Sequence, residues 1–275
     1  MASRSTFPLK IGWFSTGRGE GSYGLLSSAL EAIDSGGLPA ELAFVFVNRV
    51  KGQTKRTDRF LELVESHGIP LITLSSRDFR RANDNKPWAE LRERFDETAI
   101  ELLRPHKVDI AVHAGYMLIA PLLCSEYLTL NLHPALPGGT IGMWQQAVWD
   151  VITEGLDETG AMIHVSTEDV DEGPVLATAK FSVRGDGFDI AWQELEFLLK
   201  TFDYETIKRD IGEKLLVFKA IREAGLLRER PFLIEMLKAV AGGWIDPNVS
   251  GDVIDLTPEV ERAVGGLRRT LPLGP

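Results

Sequence analysis

The chain has 275 residues, 44% of them hydrophobic and 25% charged, enough for one large globular domain or one domain with an appendage. Its formal net charge of −10 argues against a nucleic-acid polyanion as a partner, and leaves room for a small anion held by local donors. The one cysteine, Cys124, excludes an intrachain disulfide, and no run reaches the roughly 18 apolar residues needed to span a bilayer.

In chain order, residues 1–8 read as a tail. "MASRSTFPLK" lacks the apolar core of a signal peptide, so the expected location is the cytoplasm. "LKIGWFST" reads as a strand, followed by the Gly-rich turn "GRGEGS" and a helix that stops at Gly36-Gly37. Strand "ELAFVFV", helix "TDRFLELVESHG" and strand "IPLITL" follow, then a helix over about Pro87 to Arg104. "VDIAVHA" (108–114) is nearly continuous in apolar character, as expected of a strand covered on both faces. Next come the run "APLLCSEYL", in which Cys124 reads as a buried filler, and the strand end "LTLNLHP". A helix is expected over 143–155, and "TGAMIHVSTEDVDEGPVLATAKFSV" reads as two strands around an acidic turn. From Asp189 the apolar spacing becomes helical, with a further helix at "PFLIEMLKAV" and a Gly/Pro-punctuated tail. Strand–helix alternation predicts an α/β fold: a Rossmann-like, mostly parallel sheet with helices on both faces, plus a helical C-terminal appendage.

Three stretches carry chemistry. The turn from Ser15 to Ser22 offers backbone N–H groups at a helix start, which suits a phosphate or carboxylate; the alternative is an ordinary tight turn. Its glycines match neither the dinucleotide nor the nucleotide-triphosphate spacing. Asn131 and His133 stand two residues apart where a strand ends, so they project to one face. An amide and an imidazole there can donate to a developing oxyanion or shuttle a proton; the alternative is a capped strand end. The turn "STEDVDEGPV" holds Glu168, Asp169, Asp171 and Glu172. It is either a solvated acidic hairpin or a device that turns one carboxylate inward, where it would orient an imidazole and favour its charged form. Five histidines without the i, i+4 pair of a zinc helix make a metal site the weaker reading, and His164 reads as a core or pocket-wall histidine.

Together these pieces resemble the folate-dependent formyltransferase family, and within it the branch that acts on glycinamide ribonucleotide. The resemblance covers residues 9–205 and rests on "NLHPALP" (131–137), "HVSTEDVDEGPVLATAKFSV" (164–183) and "AGYMLIA" (114–120). It implies a catalytic trio of Asn131, His133 and Asp171. It also implies N10-formyltetrahydrofolate as the formyl donor, bound by Tyr116, Met117, Leu118, Ile119, Val165, Thr167, Glu168 and Val170. The acceptor's phosphate would sit on Gly17, Arg18, Gly19, Glu20, Gly21 and Ser22. No metal, nucleic acid or membrane is implied as a partner, and a homodimer is compatible. Leu118 stands where that branch has a basic residue, and Glu20 is a poor neighbour for a phosphate, so the acceptor is the open point. Hydrolysis of the same donor, formylation of a sugar-nucleotide amine, and a non-catalytic folate or nucleotide binder are the competing readings. Residues 206–275 lie outside the resemblance and read as a helical extension.

Overall fold

The computed structural model describes residues 8–169, 171–185, 187–249 and 251–270. In chain order the elements are β1 (Leu9–Ser15), α1 (Glu20–Asp34), β2 (Ala40–Val47), α2 (Lys55–Ser66), β3 (Leu71–Thr73), α3 (Ser76–Ala82) and α4 (Trp88–Leu103). There follow β4 (Ile110–His113), α5 (Pro121–Glu126), β5 (Thr129–His133), α6 (Trp144–Thr153), β6 (Glu158–Val165) and β7 (Val175–Ser182). The C-terminal part holds α7 (Asp189–Leu198), α8 (Tyr204–Asp210), a short 3-10 turn (Gly212–Lys214), α9 (Leu216–Ala241), β8 (Ile254–Asp255) and α10 (Thr257–Thr270). Strand order is β3-β2-β1-β4-β5-β6-β7-β8, a mostly parallel sheet with helices on both sides. The expected Rossmann-like α/β class is therefore the observed one.

The chain divides into two compact units. The first comprises Met1–Leu132, Ile163–Leu176 and Leu233–Asp252. Its strands β2, β1 and β4 pair in parallel, with Ser15 opposite Val47 and Phe14 opposite His113. The apolar runs of these strands are long because both faces are covered. Phe14, Phe44, Phe46, Phe95 and Leu123 are fully buried, and Phe14 meets Phe44 edge to face at 5.5 Å. Such a pair adds about 0.5–1.5 kcal/mol beyond its buried area.

The second unit comprises His133–Met162, Ala177–Phe232 and Val253–Pro275. Trp149, Ile152, Trp192, Leu195, Ile207 and Phe218 form its core. Trp192 Nε1 donates to Val183 O at 2.7 Å, so the buried indole is satisfied.

Two features differ from the sequence expectation. The helical pattern after Asp189 breaks at Asp203, which caps α8 by accepting from Thr206 N at 2.8 Å, and the further helix is part of α9, which runs through Pro231. The tail contributes a strand as well as helices: β8 pairs in parallel with β7, and Leu256 N donates to Thr178 O at 2.9 Å.

Candidate active site

The first unit brings together an amide, an imidazole and a carboxylate. Asn131 sits in β5, His164 near the end of β6, and Asp171 in the turn before β7. Asn131 Nδ2 lies 3.1 Å from His164 Nε2 and 3.1 Å from Asp171 Oδ1. His164 Nε2 is 3.4 Å from the same carboxylate oxygen, and the side chains of His164 and Asp171 are 1% and 9% exposed. His164 Nδ1 lies 3.1 Å from Val165 O, which assigns the ring proton to Nδ1 in the neutral form. Nε2 then accepts, and both N–H groups of the Asn131 amide are committed, one to the ring and one to Asp171.

The local chain explains how Asp171 is aimed. Its φ is +56°, a left-handed conformation that a side chain other than that of glycine, Asn or Asp takes up at a cost. Two residues on, Gly173 lies against the backbone of β6, where an added Cβ would overlap Val165 O. Only glycine lets the turn close so tightly on the strand.

His133 ends β5 in the second unit, is 3% exposed, and its Nε2 lies 2.8 Å from Thr140 O.

The strand exits that the sequence marks for the donor and the acceptor are stitched to one another within the first unit. Ser15 Oγ donates to Ala114 O at 2.8 Å, Thr16 N to Gly115 O at 3.0 Å, and Met117 N to Thr16 Oγ1 at 3.0 Å. Gly115 has φ +72° and packs on Ser22 of α1, where an added Cβ would overlap the serine hydroxyl. Tyr116 is buried, whereas Met117 is 72% exposed and Ile119 46% exposed, an apolar edge suited to a flat ring. Thr167 and Glu168 are exposed on the chain leading to Asp171, Val165 is half-buried, and Val170 lies outside the described residues.

In the turn, Gly17 has φ +58° and Arg18 is exposed. Gly19 precedes α1 without a side-chain cap, so the first N–H groups of that helix are not spent on one. Glu20 reaches across to Arg59 at 3.4 Å, which turns its carboxylate toward α2.

Behind the donor-side segment stands a buried set of titratable groups. Asp96 of α4 accepts from Leu122 N at 3.1 Å and Leu123 N at 3.4 Å, holding the start of α5. Burial raises its pKa to about 7, against the pull of those two N–H groups and of Arg92. Burial also lowers His113 to about 4 and pushes the Cys124 thiol up to about 12. Cys124 is thus no nucleophile at neutral pH. Among the described residues, no group of three His, Cys, Asp or Glu side chains has metal-ligand spacing.

Residues 18–187 match the formyl transferase family model. The chain belongs to the formyl transferase family. It is 30% identical over 152 residues to the phosphoribosylglycinamide formyltransferase of Escherichia coli (strain K12), covering 52% of this chain and 66% of that one. It is 29% identical over 160 residues to the protein of that name from Mycobacterium tuberculosis (strain ATCC 25618 / H37Rv), covering 57% and 65%. The aligned part thus spans just under two thirds of each relative's length. The solved glycinamide ribonucleotide transformylase 1 from Symbiobacterium toebii shares the fold, with a TM-score of 0.60 over 86% of this chain and 89% of that one, at 20% identity.

Sequence reasoning reads His164 as a core or pocket-wall histidine, and the structure buries it beside Asn131 and Asp171. Its contact with that carboxylate is not expected from the sequence, and Asp96 is missed because its partners lie far away in sequence.

Proposed function

We propose that this member of the family transfers a formyl group from N10-formyltetrahydrofolate to an amine, with glycinamide ribonucleotide as the acceptor. The observation that carries the reading is the Asn131–His164–Asp171 network, buried and aimed by a turn in which Asp171 takes a left-handed backbone conformation. The neutral acceptor amine attacks the formyl carbon, forming a C–N bond and placing negative charge on the former carbonyl oxygen. Asn131 and His133 are the proposed donors to that oxygen, and Asp171 takes up the proton lost by the amine, directly or through water. Collapse breaks the bond to N10, which leaves with a proton. Because both N–H groups of Asn131 are engaged in the free enzyme, one must leave Asp171 or His164 as the oxyanion forms. Apo contacts of this kind tighten or exchange when substrate arrives.

The proposed donor contacts are Tyr116, Met117, Leu118 and Ile119 with Val165, Thr167, Glu168 and Val170. The acceptor's phosphate would take the turn Gly17, Arg18, Gly19, Glu20, Gly21 and Ser22. The pairing of Glu20 with Arg59 supports this placement, since it draws the carboxylate toward α2. Residues 9–205 would form the catalytic part and 206–275 its extension, in a cytoplasmic protein that acts alone or as a homodimer without nucleic acid. Among the described residues no helix is long and apolar enough to cross a membrane.

Tetrahydrofolate release, followed by absorbance, tests the assignment. Release that requires glycinamide ribonucleotide supports transfer to it. Release without any amine would make the chain a hydrolase, and binding of the donor without release would make it a binder.

A further inference from the structure

The exits of β1, β2 and β3 end level with one another, since Ser15 pairs with Val47 and Val47 with Thr73. Just past them stand Arg18 and Arg49, on two neighbouring loops, and Arg77, in the first turn of α3, at the carboxyl rim of a parallel sheet. Ligands of such sheets bind outside this rim. The loops are not loosely placed. Asn48 Nδ2 donates to Ser76 Oγ at 3.2 Å, and Ser76 N donates to Asn48 O at 3.1 Å. This clamp lies directly before Arg49 in its loop and directly before Arg77 in α3, so it fixes the two arginines beside each other. Gly17, in its left-handed turn, packs against Phe60 and Val47 and sets the path into Arg18.

The charge here is only partly balanced by the protein. Asp78 lies 3.6 Å from Arg77 and 3.2 Å from Arg81, and Glu20 is taken by Arg59. Among the described residues neither Arg18 nor Arg49 has an ion-pair partner, and the buried Nε of Arg49 has no acceptor. Burial, and then the like charges of Arg18 and Arg77, push the Arg49 guanidinium below the usual arginine range. A chain with a net charge of −10 thus keeps a basic cluster at one rim in which, among the described residues, Arg77 has a carboxylate partner and Arg18 and Arg49 have none. Guanidinium groups present forked donors that match phosphoryl oxygens.

We propose that Arg49, flanked by Arg18 and Arg77, forms a phosphate-class dianion subsite next to the first turn, and that the dianion is carried by the amine acceptor. The second half of that statement rests on the transferase reading; the first half does not. The subsite extends the positive field past the helix start of α1, so that a single acceptor phosphate seated at the turn would meet Arg49 with its outer oxygens. An acceptor with a diphosphate would occupy more of it than one with a monophosphate.

Calorimetric titration of the full chain with orthophosphate and with pyrophosphate, at fixed ionic strength, tests the subsite. Pyrophosphate should bind more tightly than orthophosphate. Arg49→Met, which keeps the apolar stem, should weaken both at least tenfold, and the Arg18→Met/Arg77→Met double variant should do the same. Arg209→Met, on an exposed ion pair of the second unit, should leave both unchanged. Near-ultraviolet circular dichroism of each variant checks the fold. No binding by the wild-type chain, or equal binding by Arg49→Met, would overturn the subsite. A raised acceptor KM with unchanged kcat in Arg49→Met supports its use by the acceptor; an unmoved KM despite weakened phosphate binding would overturn that part. If no amine accepts a formyl group while phosphate binding still depends on Arg49, the transferase reading fails and the subsite stands.

Discussion

In the second unit, Arg222 pairs with Glu229 at 2.5 Å and stacks over Trp144, while Arg228 grips both oxygens of Glu261 and lies over Phe181. These charges are half-buried and close on one another. In the first unit, Asn131 and His164 crowd around one oxygen of Asp171, and among the described residues the buried His113 Nε2, Tyr116 hydroxyl and Arg49 Nε have no hydrogen-bond partner, as is also true of Thr140 Oγ1 and Gln145 Oε1 in the second unit. Polar groups that build a fold are ordinarily satisfied inside it, and those left incomplete mark strain or a missing ligand. The contrast sets ion pairs that hold helices together beside polar groups left incomplete around the candidate site.

Substitutions on each side should therefore report differently. Asn131→Ala should lower kcat by about 10²–10³ through loss of an oxyanion donor, and should cost no more than about 1–3 kcal/mol of stability for leaving Asp171 and His164 short of a donor. A large loss of stability instead would place Asn131 with the structural polar groups. Glu229→Ala should cost about 2 kcal/mol in urea unfolding by leaving Arg222 without its charged partner, and should leave the KM for the formyl donor unmoved. Asp96→Asn sharpens the comparison through pH. The carboxyl titrates near 7 in the folded chain and near 3.9 when unfolded, so the folded state holds the extra proton between those values. Stability from this group therefore falls as pH rises from about 4 to about 7. The difference in unfolding free energy between wild type and Asp96→Asn should slope accordingly, and a flat difference would mean that Asp96 is solvated. Smallest of all, Glu20→Ala should change stability by less than about 1 kcal/mol, since its pair with Arg59 is exposed.

Much of the fold and part of the site are legible in the sequence itself. The apolar runs of β1, β2 and β4 and their Gly-terminated helices announce a parallel sheet, because burial on both faces leaves no room for alternation. Two motifs mark Asn131, His133 and Asp171 as the expected trio, and of these the structure puts the Asn131 amide on the Asp171 carboxylate. What stays hidden depends on distant pairing. β8 is two residues long and exists because Leu256 N and Thr178 O meet. α9 passes through Pro231 despite a local cost of about 3 kcal/mol, because Phe232, Leu233, Met236 and Leu237 around and beyond it are buried. His164 is hidden for another reason: a lone histidine in an apolar strand looks like filler until its Nε2 is seen facing a carboxylate. The arginines at 18, 49 and 77 look like ordinary surface charge until three strand ends line up.

The most direct measurement is kcat for formyl transfer to glycinamide ribonucleotide by Asp171→Asn, beside the wild-type chain and with the unfolding midpoint recorded for both. Asparagine tolerates the left-handed backbone at this position, so the fold should persist while the proton acceptor is gone. A fall in kcat of at least about a hundredfold at an unchanged midpoint is the predicted result. Full turnover in that variant would contradict the assignment of the buried carboxylate to catalysis.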